Sequence, residues 1–487
     1  MHKAANSDTS KYIDDITWDD LDMDKVFRRI NACYTSAGEE YLYDCLHEPQ
    51  FDLSNLEFRE AFISRMKEQP EQRFKIQMCL ARLGKKDANR VAELIYKHDI
   101  KPLRFPIIYD MLAVMPILCI VPMIINAPVG IVCLTAALTV NTAVSLKTRR
   151  KVETVFTAVQ YFVSMIICCG KLINIGSSEP FLAQLQEPFD IFKPLRRKSV
   201  ETISKNSGLN DFGMLNEFLR AWFLSDVRNY NKVIHSISKN KGQFHDLYKK
   251  LGEIDLAVCV LSFRESLPFY SNPVFCAENS IDFKEIYHPL LSTPVPNSGT
   301  MANNSIITGS NASGKSTFIK TLAINGILAQ TVFTCTAKEY SAKFALVMTS
   351  MALRDDISEG ESYFITEIKS LKRILDKIDG VYCACYIDEI LRGTNTIERI
   401  AASASILNYL NGRDCLCLVA SHDIELAQML DNSVDNYHFR EQLTDDGMVF
   451  DYKIKRGISN TRNAIKLLRY MDFDDEIVKN AEKLSDK

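Results

Sequence analysis

The chain has 487 residues, with 58 Lys and Arg against 61 Asp and Glu and a net charge of −3. That length exceeds what one hydrophobic core usually organises and points to two or three domains. The near-balance of charge excludes a globally basic field, so any nucleic-acid contact needs a local patch. The 14 cysteines contain no C-x-x-C pair. Cys383/Cys385 and Cys415/Cys417 sit i, i+2 inside apolar strand-like runs, the pattern of packed thiols rather than metal ligands. Free thiols suit a reducing cytosol. The polar residues 1–10 show no apolar core of a cleavable signal peptide.

Residues 16–98 repeat apolar positions at helical spacing, as at Met23, Val26, Phe27, Ile30 and Cys33. Asp19, Asp20 and Asp22 fall at the N-terminal end of that pattern, where carboxylates favour a helix dipole. From 107 to 146 the only charged residue is Asp110. Pro116, Pro122 and Pro128 punctuate this run, which fits two apolar segments of roughly 15–18 residues joined near residues 126–128, at or below spanning length. Lys101 and Arg104 precede it, and Lys147, Arg149, Arg150 and Lys151 follow. A membrane hairpin would place both basic clusters on the cytoplasmic side. A buried hydrophobic hairpin or a dimerisation element is the alternative. Helical spacing resumes over 151–263, and Ser271-Asn272-Pro273 reads as a boundary. Beyond it, short β-like runs at 305–308, 382–387 and 415–420 alternate with helical segments, as in a parallel sheet with crossover helices.

The sharpest chemistry lies at 309–317, Gly309-Ser310-Asn311-Ala312-Ser313-Gly314-Lys315-Ser316-Thr317, a complete G-x-x-x-x-G-K-S loop between a strand-like run and a helix start. Gly309 and Gly314 allow backbone N–H groups to face a β-phosphate at a helix N-terminus. Lys315 can reach the β- and γ-phosphates, and the Ser316 hydroxyl can ligate Mg²⁺. The run ending at Ile387 delivers Asp388, suited to Mg²⁺, and Glu389, suited to orient or deprotonate water. The next run ends in Ser421-His422-Asp423, and His422 can hydrogen-bond a γ-phosphate. Between them, Gly360 and Ser362 precede a helical run and offer a second anion site, which makes sense across a dimer.

The set GSNASGKST, DDISEGESYF, YIDEILRGTNT and ASHD, in this order and spacing, resembles the MutS family of ABC-type ATPases. The likeness runs through Asn311, Gly314, Lys315, Ser316 and Thr317, then Asp356, Ser358, Gly360, Ser362, Phe364 and Glu367. It continues at Asp388, Glu389, Arg392, Gly393, Thr394, Thr396 and His422. It implies that Ser362 touches the γ-phosphate held by a partner subunit, in a dimer with composite ATP–Mg²⁺ sites, and that Tyr452 lies against adenine. Tyr363 departs from the family, many of whose members carry Thr there. The stretches 34–49 and 252–255 look like the family's helical core and lever region. The sequence starts in that core, without the family's mismatch-binding and connector domains. Phe58-Arg59-Glu60 and Phe263-Arg264-Glu265 match its F-x-E motif by letters alone.

The expected fold is an α/β ABC-type P-loop ATPase domain over 271–487. An all-α core and lever region over 1–106 and 147–270 precedes it, with an apolar helical hairpin inserted at 107–146. The expected function is ATP hydrolysis in a homodimer that couples nucleotide state to helical-arm movement. Attachment to the cytoplasmic membrane through 107–146 and binding of DNA in a repair-related role belong to the same reading. A soluble clamp for DNA structures without mismatch specificity is the alternative, with Arg196-Arg197-Lys198, Lys239, Lys241 and Lys249-Lys250 as its basic candidates. Two short apolar segments form no translocation path, which disfavours a transporter subunit.

Overall fold

Two uninterrupted buried runs, Cys383–Asp388 and Cys415–Ser421, form the middle of a sheet covered on both faces. The computed structural model describes residues 11–85, 103–176, 179–203, 218–310, 313–351, 363–392, 394–444, 447–458 and 473–485. Its strands are β1 (Val274–Phe275), β2 (Ile281–Ile286), β3 (Asn297–Met301), β4 (Ser305–Thr308), β5 (Glu339–Ala342), β6 (Leu346–Ser350), β7 (Cys383–Asp388), β8 (Cys415–Ser421), β9 (Asp435–Thr444) and β10 (Gly447–Arg456). They form a four-stranded sheet in the order β1-β5-β2-β3 and a six-stranded sheet in the order β10-β9-β4-β8-β7-β6. From β9 to β6 the large sheet is parallel, and β10 closes its far edge antiparallel. The three strands expected from the sequence are β4, β7 and β8.

The chain divides into two compact units. One holds both sheets and is assembled from 8–31, 45–57 and 262–487; the other, from 32–44 and 58–261, is helical where described.

In the sheet-bearing unit, the short helix Asp15–Asp20 covers the edge strand β6, protecting a row of backbone groups that would otherwise pair with another chain. Asp20 accepts from Thr349 Oγ1 at 2.7 Å and from Met351 N at 3.0 Å, while Thr349 N donates to Thr17 Oγ1 at 3.2 Å. Arg373, on the helix Tyr363–Lys377, completes the arrangement by donating to Asp14 and to the Thr349 carbonyl. Burial pushes the Asp20 carboxyl up, and the Thr349 and Met351 donors oppose it.

In the helical unit, Asp255 of the helix Lys241–Glu265 is fully buried. It accepts from Tyr34 N (3.1 Å), Thr35 N (2.7 Å) and Thr35 Oγ1 (2.6 Å), just before the helix Ser36–His47 begins. A Cβ on Gly38 would stand 2.2 Å from the Asp255 carboxylate, so that crossing demands glycine. The two stretches that resembled the family's helical core therefore meet here.

The apolar run forms the helices Pro106–Leu118 and Ile120–Ile125, a break at Asn126, and a single 49-residue helix, Ala127–Ile175. Expected segments of 15–18 residues thus become stretches of 20 (Pro106–Ile125) and 22 (Ala127–Thr148), long and apolar enough to cross a membrane. Pro116 lies inside Pro106–Leu118, and Pro122 falls in the first turn of Ile120–Ile125, after the break at Cys119. No proline falls between Pro128 and Pro180, so nothing stops the second at the basic cluster. Only 11% and 22% of the two stretches is buried within the molecule. A third stretch of that kind, Ala158–Ile175, is 61% buried and packs within the helical unit.

Glu40, on Ser36–His47, is raised from 4.5 to about 8 by burial, with Asp44 and Glu39 adding like charge. A carboxyl raised on folding stabilises fully below its unfolded value, and that contribution is lost as pH climbs through the folded one. The melting midpoint of the helical unit should therefore fall from pH 4.5 towards about 8. Glu40→Gln should flatten that fall in a pH series of thermal melts and match wild type at the acid end.

Candidate nucleotide site

The register of three parallel strands assembles the site. Thr308 at the end of β4 pairs with Ser421 of β8, and Ala420 of β8 pairs with Asp388 of β7. The carboxyl ends of these strands therefore open at one level, where ligands bind in sheets of this kind. Ser305–Thr308 is wholly buried and leads into Gly309, with φ +147°. Gly314, φ +106°, caps the helix Lys315–Thr331. A Cβ on Gly314 would lie 3.2 Å from Tyr452 Cδ1 in a conformation side chains rarely adopt.

Lys315 curls over its own loop, donating from Nζ to the carbonyls of Gly309 at 2.6 Å and Ser310 at 2.7 Å. Ser313 Oγ is buried without a hydrogen-bond partner among the described residues. A cavity of about 750 Å³ joins this loop, through Ser310, Gly314, Lys315, Ser316 and Thr317, to Asp388 and Glu389. Its other wall carries Tyr287, His288, Val295, Phe439 and Tyr452. A polar, N–H-rich end and a ring-lined end in a space of that size fit a nucleoside triphosphate.

Glu389 lies between Arg392 and His422. Its Oε2 is 2.7 Å from Arg392 Nε and its Oε1 is 3.0 Å from His422 Nδ1. Arg392 also donates to the Asp388 carbonyl at 3.1 Å, and its backbone N–H donates to Glu367 at 3.1 Å. Behind His422, Asp423 is held by both arms of Arg399 at 2.7 and 2.9 Å, fixing the β8 end. Glu389 and Leu391 both adopt left-handed backbone, at φ +64° and +56°. Two side-chain-bearing residues in that region within three positions mark strain at the turn that aims the carboxylates.

Tyr452 reaches the cavity because β10 bulges. The register shifts between Phe450 and Ile454, Tyr452 takes φ +50°, and Asn297 clamps the bulge. Asn297 Nδ2 donates to the Tyr452 carbonyl, while Ile454 N donates to Asn297 Oδ1, both at 2.9 Å.

Of the expected site residues, Gly309, Ser310, Ser313, Gly314, Lys315, Ser316, Thr317, Asp388, Glu389, His422 and Tyr452 converge on this region. Asn311, Ala312 and Ser362 lie outside the described residues. Sequence reasoning gave no site role to His288, Asn297 or the Arg392–Glu389 pair. Burial and the Lys320 charge push the His288 imidazole down to about 4, so it is neutral near pH 7. Its Nδ1 accepts from Leu290 N at 3.2 Å, which leaves the ring proton on Nε2. A lone His in an irregular stretch carries no sequence signal for such a place.

Residues 305–487 match the family model for MutS domain V. MutS protein homolog 4 of Mus musculus is 31% identical over 253 residues, 48% of this chain and 26% of the relative. The human MutS protein homolog 4 is 29% identical over 53% of this chain and 29% of its own length. The DNA mismatch repair protein MutS of Petrotoga mobilis is 30% identical over 272 residues, 52% of this chain and 32% of its own length. The matched stretches thus span a quarter to a third of these relatives.

Gly314→Ala should weaken binding of a fluorescent ATP analogue at least about tenfold, because the added methyl is strained and meets Tyr452. Fluorescence titration measures it; unaltered affinity would contradict the geometry.

Proposed function

We propose, for a chain whose residues 305–487 belong to the MutS family, an ATP-hydrolysing homodimer that couples nucleotide state to movement of its helical arms. The observation that carries this reading is the continuous cavity from the phosphate loop to Glu389, with Glu389 set between Arg392 and His422. It matches an ABC-type P-loop ATPase domain.

The chemistry follows from the chain's own groups. Backbone N–H groups at the start of Lys315–Thr331 and the Lys315 ammonium bind the phosphates. Ser316 and Asp388 would hold Mg²⁺, whose charge offsets that of the phosphates. The Arg392 guanidinium stands 2.7 Å from the Glu389 carboxylate and holds it in place. A polyphosphate competing for that guanidinium leaves Glu389 free to orient and deprotonate water. His422, half exposed beside Glu389, is placed to hydrogen-bond the terminal phosphate. Tyr452 and His288 form the wall for the base.

Ser362 of a second copy completes each site in this reading. Lys315→Ala, Glu389→Gln and Ser362→Ala should each abolish Mg²⁺-dependent phosphate release. Mixing Lys315→Ala with Ser362→Ala protein should restore roughly a quarter of wild-type turnover, because half of the dimers are mixed and each has one intact site. Absence of any recovery removes the composite site, and full turnover by Lys315→Ala removes the ATPase.

The helices of 106–148 form a membrane hairpin that anchors the protein to the cytoplasmic membrane, with the ATPase on the cytoplasmic side. Support comes from their apolar, largely exposed surfaces and from the flanking basic residues. Asp110, the single charge of 107–146, is paired with Arg228. The full-length protein should remain in the membrane pellet after an alkaline carbonate wash; release into the supernatant would favour the soluble reading. DNA enters as a second ligand through the mismatch-repair name of the bacterial relatives.

A further inference from the structure

Just before the helix Ser225–Lys239 lies another apolar stretch, Phe218-Leu219-Arg220-Ala221-Trp222-Phe223-Leu224. Residues 218–222 are helical, and Leu224, at φ +48°, breaks the chain into the next helix. Three contacts fix its level against the two long apolar stretches. Leu103 N, just outside the first, donates to Asn231 Oδ1 at 2.8 Å. Asp110, four residues in from Pro106, pairs with Arg228. Asn141 Nδ2 donates both to the Leu112 carbonyl at 2.8 Å and to the Trp222 carbonyl at 2.6 Å.

Followed from Asn231 through Arg228 to Trp222, the chain therefore runs inward along the hairpin. Leu112 is six residues past Pro106, and Asn141 is seven residues before Thr148. At a rise of 1.5 Å per residue, both counts put Trp222 roughly 10 Å inside the ends of the spans. Here Phe218 is 53% and Leu219 40% exposed, and the Phe218 ring lies 5.9 Å from that of Trp222.

We propose that residues 218–224 are a third, half-inserted membrane element that seats Phe218, Leu219 and Trp222 among the acyl chains of the cytoplasmic leaflet. The proposal rests on the reading that the helices of 106–148 span a membrane. Seven residues cannot cross a ~30 Å hydrocarbon core, but they can enter one leaflet if their backbone is satisfied. The helical turn and the Asn141 bond to the Trp222 carbonyl do that. The indole of Trp222 brings a large apolar body to that depth, and the long stem of Arg220 can carry its charge towards the headgroup phosphates. The element widens the anchor on one side of the hairpin and ties it to Ser225–Lys239. Motion of that helix would then be felt at the lipid surface.

The chain contains two tryptophans, Trp18 and Trp222, so Trp18→Phe leaves Trp222 as sole reporter. The full-length variant is reconstituted into phosphatidylcholine–phosphatidylglycerol vesicles whose acyl chains are brominated either near the carbonyl or near the terminal methyl. Flotation is measured on the same samples. The expected result is flotation with the vesicles and loss of roughly half of the emission with deep bromine, with less loss from shallow bromine. Flotation with emission unchanged by either lipid overturns the third element and leaves the hairpin standing. Stronger quenching by shallow bromine overturns the depth set by the Asn141 bond. Failure to float overturns the hairpin and this element together. Should Trp18→Phe not fold, wild-type protein gives the same comparison, because Trp18 is buried at 5% exposure and lies in the other compact unit.

Discussion

The parallel pairing of β4, β8 and β7 is the constraint on which the candidate site depends. Neighbouring strands lie about 4.8 Å apart, so register alone decides whether the phosphate loop, the His422 turn and the Asp388–Glu389 turn reach one cavity. A one-residue slip of β7 would turn Asp388 to the opposite face and carry Glu389 with it. Buried Val, Ile, Leu, Ala and Cys side chains on both faces prevent that slip. The cysteines opposed across β7 and β8, Cys383 to Cys415 and Cys385 to Cys417, belong to this packing. The neighbouring Cys383 thiol, and then burial, push the Cys385 thiol well up, which keeps it inert as well as buried.

Strain and charge are concentrated at the mouth of the sheet. Glu389, Leu391 and Tyr452 all hold left-handed backbone, and each lines or supports the cavity. Each such residue costs on the order of 1 kcal/mol or more and persists only where its surroundings over-determine it. The surroundings are visible: Glu389 N donates to the Ala420 carbonyl, Arg392 grips the Asp388 carbonyl, and Asn297 clamps the bulge around Tyr452. The turn is thus held in the conformation that aims its carboxylates.

The helical unit shows the same economy with polar groups. Asp255 is buried, but three donors meet it. Asn141 is buried among apolar helices, but its amide serves two carbonyls, and Asp110 has Arg228. In a low-dielectric setting an unpartnered group costs several kcal/mol, so each of these few polar residues pins one helix against another. They set the register of helices whose apolar faces alone would slide.

Much of this was legible in the sequence. The glycine loop, its flanking strand and helix, and the acidic and histidine strand ends are local patterns, and local chemistry determines them. The alternation of buried runs with helices pointed to the parallel sheet, and the loss of charge over 107–146 marked an apolar hairpin whose exposure the sequence left open. Other features were decided only by the tertiary structure. The edge strand β6 is covered by a helix more than 300 residues earlier in the chain, and no local pattern encodes that. The bulge that delivers Tyr452 and the place of His288 in the cavity wall depend on distant segments meeting. The lengths of the apolar helices also escaped the sequence, because proline at the first turn does not end a helix and Pro116 sits inside one. Local pattern specifies which groups can bind phosphate; only long-range packing specifies which of them share one cavity.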